Sequence, residues 1–174
     1  TVFKRPDDAA SQEPRKAKDF KHPFLNSIGR GDSRQLIEKF GLPDNSAFYK
    51  LQDSVFWINA DFQVTFEYLS RFLNIRYFGV ELGQFSKNQI LPSHEWATSI
   101  LPKAGFATLE MDMQQAVSFL RKEEFTLPEN LVEGWHLVSY QKMPLGWIKN
   151  LGNRFNNYYP KEWRIRMQAG EDAT

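Results

Sequence analysis

Two apolar runs near the C-terminal end, Gly134–Gln141 (GWHLVSYQ) and Leu145–Asn150 (LGWIKN), are separated by a short connection containing Pro144. This pairing is the strongest constraint on the fold. The first run alternates, with Trp135, Leu137 and Ser139 on one face, and the second returns as its partner in a hairpin. Whatever else the chain does, this end must be built on a sheet.

The rest of the chain supplies further short elements. Asp32 or Ser33 caps a helix whose face is Leu36, Ile37 and Phe40, with Gly41 placed to end it. Phe48–Leu51 and Val55–Ile58 read as strands joined by the turn-prone Gln52-Asp53-Ser54. Asp61–Leu73 fits a strand by the alternation of Phe62, Val64, Phe66 and Tyr68. It also fits a helix by the stripe Phe62, Phe66, Leu69 and Leu73, and its length favours the helix. Ile75–Leu82 reads as a strand, followed by a turn into Gln89–Leu91. Ser93 caps a helix running to about Leu101. Asp112 caps another, on which Met113, Ala116, Val117 and Leu120 recur at helical spacing up to Arg121.

Short strands punctuated by two helices imply an α+β fold: a small, partly open mixed β-barrel with two crossing helices, preceded by a smaller α/β segment. The expected divisions are a linker over 1–30, a small domain over 31–74, the barrel over 75–167 and a frayed tail over 168–174. The linker is polar, with Pro6, Pro14 and Pro23 and few apolar residues before Phe20.

The stretch Met143–Arg166 packs Trp147, Phe155, Tyr158, Tyr159 and Trp163 among Lys149, Arg154, Lys161, Arg164 and Arg166. Asn153, Asn156 and Asn157 are interleaved. From Lys142 to Arg166 there are six Lys or Arg and one acid, Glu162, in a chain whose formal net charge is only +1. Any polyanion site is therefore a local patch. Aromatic faces stack on bases, cations neutralise phosphates, and amides bond base edges or sugar hydroxyls. The alternative stays open at this point: Leu145, Trp147 and Leu151 as the buried face of strands, with lysine and arginine merely solvated.

Other chemistry is poorly represented. With no cysteine, the chain has no disulfide, thiolate metal site or cysteine nucleophile. His94 beside Glu95 is the one pair that invites acid–base catalysis, but neighbours at i and i+1 point apart on a helix. His22 and His136 have no metal-ligand spacing, and no phosphate-binding or nucleophile motif is present. No apolar run approaches the roughly 20 residues of a membrane span, and a first residue of Thr1 reads as a piece of something longer. The expectation is a soluble, cytoplasmic, non-catalytic unit with no metal.

Three segments in order carry a resemblance. Gly79-Val80-Glu81-Leu82-Gly83 leads to Leu91-Pro92-Ser93-His94-Glu95-Trp96-Ala97; a helix follows, ending Ser118-Phe119-Leu120-Arg121. Last come Gly134-Trp135, then Leu145-Gly146-Trp147-Ile148-Lys149, then Asn156-Asn157-Tyr158-Tyr159-Pro160-Lys161-Glu162-Trp163-Arg164. Together they resemble the C-terminal PUA-like RNA-binding region of the Sun/RsmF-type ribosomal-RNA 5-methylcytosine methyltransferases, over about residues 75–166. The match is weaker over the small domain before it. Two positions depart from that pattern: Asn156, where the family commonly has lysine, and Phe119, where it has tyrosine.

The resemblance implies an accessory module that positions ribosomal RNA for an attached methyltransferase domain. That domain would use S-adenosylmethionine and a cysteine pair, so this chain would need no cofactor and would not be an enzyme by itself. The implied RNA-binding residues are Lys149, Asn150, Arg154, Asn157, Tyr158, Lys161 and Arg164, with Lys87 and His94. Tyr158 or Tyr159 could equally be core. A protein-interaction or structural module without RNA contact is the competing reading, and a free-standing enzyme centred on His94 a third.

Overall fold

The computed structural model describes residues 25–73, 75, 77–86 and 89–166. Most of the expected linker, together with His22, Lys87 and the 168–174 tail, lies outside the described residues. Two sheets form the frame. In the first, β1 (Leu25–Ser27), β2 (Ser46–Leu51), β3 (Ser54–Asn59), β4 (Val80–Ser86) and β5 (Gln89–Pro92) lie side by side in chain order, all antiparallel. In the second, β6 (Ala107–Glu110) pairs in parallel with β7 (Gly134–Tyr140), which is followed by the antiparallel β8 (Met143–Asn150) and β9 (Phe155–Asn157). The helices are α1 (Arg30–Phe40), α2 (Gln63–Leu69), α3 (His94–Thr98) and α4 (Met113–Arg121). Parallel neighbours need a crossover, and the β6–β7 connection contains α4.

The α+β class expected from the sequence is what forms, and neither sheet closes into a barrel among the described residues. The hairpin at 134–150 is present, with Trp135 opposite Lys149 and Leu137 opposite Trp147. Gly41 ends α1 in the left-handed region (φ 64°), its N–H returning to the Ile37 carbonyl. Asp112 and Gln115 form the expected capping box on α4, and Ser93 caps α3 by accepting from the Trp96 N–H. The ambiguous 61–73 segment is helical at its centre: α2 follows a 3-10 turn over Ala60–Phe62.

Several expectations are corrected. Helix α1 begins at Arg30, with Gly29 and not Asp32 at its N-cap. In the expected strand 75–82, pairing starts only at Val80. Phe78 and Ile75 instead join the apolar cluster of Leu25, Tyr49, Phe56 and Phe66 on the outer face of the first sheet. β1, β6 and β9 were not anticipated, because runs of three or four residues carry no readable period.

The main core lies where the sheets meet. Phe40, Phe48, Val55, Leu82, Trp96, Ala97, Leu101 and Trp147 form one buried cluster, drawing on α1, the first sheet, α3 and β8. Trp96 and Trp147 are fully buried, with their ring centroids 5.9 Å apart. Their indole N–H groups donate to the Pro102 carbonyl (3.2 Å) and the Ser93 carbonyl (2.7 Å), as burial of a polar tip requires. The first sheet thus runs unbroken past residue 74, and one core serves both sheets. A third cluster, including Leu109, Phe119, Val138 and Ile148, fills the space between α4 and the second sheet.

Two motif glycines have steric reasons. A Cβ on Gly83 (φ 127°) would overlap the Leu91 carbonyl oxygen across the β4–β5 ladder. At Gly146 (φ 155°) it would press to 3.0 Å from the Phe119 ring and 3.3 Å from His94 Nδ1.

Candidate nucleic-acid interface

Strand alternation sorts the expected site residues. On β8, Trp147 and Lys149 face the main core, while Ile148 and Asn150 face the α4 side. Tyr158 follows β9 and donates its N–H to the Trp147 carbonyl (3.0 Å), which brings it to the same side as Lys149. Trp135, directly across the ladder from Lys149, completes the group. The Trp135 and Tyr158 ring centroids are 4.5 Å apart, and the Lys149 ammonium lies 5.6 Å from the centre of the Trp135 ring. These three line a cleft of about 330 Å³ whose other wall is the β4–β5 edge and the β2–β3 turn, including Asp53, Gln84 and Gln89. The sequence had marked Trp135 only as a strand residue. Its pairing with Lys149 was not readable, because a bulge between Val138 and Ser139 shifts the hairpin register by one residue.

Two expected contacts are engaged by the chain's own backbone, one buried and one half-buried. Asn150 is buried, and its amide donates to the Leu131 (2.8 Å) and Val132 (3.2 Å) carbonyls while its oxygen accepts from the Gly152 N–H (3.0 Å). Asn157 donates to the Phe119 carbonyl (2.8 Å) and accepts from the Tyr159 N–H (2.9 Å). Both amides hold loops, and an amide engaged this way has little left for a base. Sequence reasoning could not separate them from Asn153 or Asn156, since residue type says nothing about which sheet face a side chain takes.

Arg154, Lys161 and Arg164 are exposed, and none of them forms an ion pair among the described residues. Arg154 borders a larger cleft of about 590 Å³ that also carries Glu123, Glu124 and Glu129. Lys161 lies in the 3-10 turn Lys161–Trp163, and Arg164 follows it directly. Lys87 lies outside the described residues. The expected patch is thus dispersed: Lys149 with Tyr158 in one cleft, Arg154 at another, Lys161 and Arg164 on the terminal turn.

Lys122 was not anticipated. It ends α4 in the left-handed region (φ 58°) and its ammonium donates to the Asn157 (2.7 Å) and Tyr159 (2.5 Å) carbonyls, pinning the segment that presents Tyr158. Burial, and secondarily the Lys161 charge, lower its pKa.

His94 opens α3, half-buried, with the edges of Tyr159 and Trp163 packed against its ring at centroid distances of 5.1 Å. Its Nδ1 is buried without a hydrogen-bond partner among the described residues, and desolvation lowers its pKa. Two aromatic rings pack against it, and its Nδ1 meets no acid–base partner among the described residues. No group of three potential metal ligands occurs among the described residues, and no described helix is long and apolar enough to cross a membrane.

The fold and the cleft define a mixed α+β unit with an aromatic–cationic recess between two sheets. Comparison with known proteins shows what it is similar to. Residues 106–165 match the family model described as the PUA domain of methyltransferase RsmF. The chain is 28% identical over 158 residues to ribosomal RNA small subunit methyltransferase F of Shewanella loihica, covering 87% of this chain and 31% of that protein. It is 29% identical over 157 residues to the protein of the same name from Shewanella pealeana (86% and 30%). For the Aeromonas salmonicida protein the figures are 26% over 129 residues (74% and 26%). The chain spans about a third of the length of these curated relatives. The resemblance to RsmF-type methyltransferases read from the motifs is borne out, and it extends beyond the 75–166 stretch that carried it.

Proposed function

We propose that this chain is an RNA-binding accessory region of a ribosomal-RNA cytosine-5 methyltransferase, holding the RNA for a catalytic domain in the same polypeptide. The observation that carries the reading is the recess in which Lys149 lies over Trp135 beside Tyr158. It joins a phosphate-neutralising cation to stacking surfaces. The relatives' names, which specify ribosomal RNA of the small subunit, support it. On this reading 75–167 is the RNA-binding unit, a partly open barrel with two crossing helices, and 31–74 is the small domain before it. The two share a sheet and a buried cluster. The compartment is the cytoplasm, where such RNA is modified.

S-adenosylmethionine belongs to the attached domain. The described residues do not fit it, because the sheets they form have no glycine-rich strand-to-helix turn of the kind that cradles a nucleotide-like cofactor. The chain's own contribution is binding and orientation. A base that is to be modified must leave its stack, and a surface that grips the neighbouring RNA makes that displacement easier to hold.

The test is a titration of ribosomal RNA across a salt series. With four exposed or half-exposed cations (Lys149, Arg154, Lys161 and Arg164) contacting phosphates, log K against log salt should slope at roughly −3. Lys149→Ala with Arg154→Ala should flatten that slope. Binding that ignores salt would remove the reading.

One observation favours a second reading, a protein contact. Phe62, Val64, Tyr68, Phe72, Leu73 and Tyr77 are exposed within one short stretch around α2, with Phe72 at 70% and Tyr77 at 67%. Exposed apolar side chains concentrated in one stretch suit a protein contact. It does not compete with the recess, since the two use different residues.

A further inference from the structure

We propose that the cleft between the β4–β5 edge and the Trp135 end of the second sheet receives a single unpaired nucleotide, its base against the Tyr158 and Trp135 rings and its phosphate at Lys149. The inference rests on the RNA-binding reading and deepens it, from a charged surface to one pocket and one kind of RNA.

Size is the first argument. A cleft of about 330 Å³ lies at the small end of ligand sites, which run from roughly 300 to 1,000 Å³. It has room for one nucleotide and none for a double helix. The second argument is the composition of the wall. Base faces are available for stacking only where RNA is unpaired, since a duplex presents edges and backbone. Here the aromatic pair lies at the recess, and cross-strand pairing with Trp135 sets Lys149 beside it. Third, the rim is uncommitted. Asp53, Gln84 and Gln89 are exposed, and their side chains make no hydrogen bond among the described residues. A carboxylate that accepts and two amides that both donate and accept suit the edge of a base.

The larger cleft makes a poorer RNA site although it contains Arg154. Glu123, Glu124 and Glu129 line it and would oppose a phosphate, and its second cation, Lys122, is tied to the Asn157 and Tyr159 carbonyls.

The measurement is fluorescence anisotropy of the whole chain with a short labelled single-stranded RNA, and with the same sequence closed into a hairpin duplex. The single strand should bind about tenfold more tightly, and Tyr158→Leu should remove roughly that factor, the loss expected of one stacked base, while leaving duplex binding unchanged. In a Trp163→Phe background the single strand should also quench tryptophan emission, and Trp135→Phe should abolish the quench. If Tyr158→Leu does not fold, Gln84→Ala with Gln89→Ala and the quench experiment carry the test, because those glutamines are exposed. Equal binding of strand and duplex, with no quench from Trp135, would overturn the pocket and leave the RNA-binding reading standing. Failure to bind either RNA at low salt would overturn both.

Discussion

At the scale of single residues, buried polar atoms separate structural from surface roles. Asn150→Ala would leave two carbonyls and the Gly152 N–H without partners, so it should lower stability by about 1–3 kcal/mol in a denaturant melt. It should not alter RNA affinity once folded. Gly146→Ala, at φ 155° and tight against Phe119 and His94, should cost a similar amount, about 1–3 kcal/mol. His94 makes stability pH-dependent with a defined sign. Desolvation lowers its folded pKa below the ordinary 6.5, so the unfolded chain takes up its proton first. Stability should therefore fall as pH drops from about 6.5 to the lower folded value and then level off for this group. His94→Phe should flatten that part of a Tm-against-pH curve. The Glu110 carboxylate is lowered by its bond from the Ser139 hydroxyl and then by the Lys142 N–H, so its contribution is lost only at more acidic pH. The two windows are separable.

Among the elements, α4 is the best specified and the one on which the presentation of Tyr158 depends. Its capping box, reciprocal between Asp112 and Gln115, is worth about 1 kcal/mol, and Asp112→Ala should cost roughly that in a thermal melt. At its other end Lys122 ties α4 to the Asn157 and Tyr159 carbonyls. Lys122→Met should keep the helix but loosen the segment after β9, weakening single-stranded RNA binding more than stability. Helix α2 behaves oppositely. Phe66 packs into the outer cluster, whereas Phe72, just beyond the helix, stands in solvent. Phe72→Ser should leave the melting temperature nearly unchanged, and Phe66→Ala should lower it clearly.

For the whole molecule, the shared core predicts cooperativity. Trp147 on β8 packs against Trp96 of α3 and Phe106, and the same cluster contains Phe48 and Val55 of the first sheet. Trp147→Ala should cost about 3–5 kcal/mol, and both sheets should melt together in a single transition. Two separate transitions would mean that the expected division near residue 74 is also a division of stability.

What the sequence determined by itself was local. The 134–150 hairpin, the glycine stop at Gly41, the caps at Ser93 and Asp112 and the motif resemblance depend on neighbours a few residues apart, where backbone preference and hydrogen-bond geometry act directly. The concentration of charge in 142–166 was equally plain. Tertiary structure decided which of those residues meet. The alternation of β8 buried Asn150 and left Lys149 half-exposed at the cleft beside Trp135, while Asn157 was taken up by backbone partners. Pairing of β3 with β4 carried one sheet across the expected boundary near residue 74, and the β4–β5 edge closed a cleft over Trp135 and Tyr158. Contacts of that kind depend on which sheet face and which distant strand a residue is given, and those are set by packing the whole chain around one core.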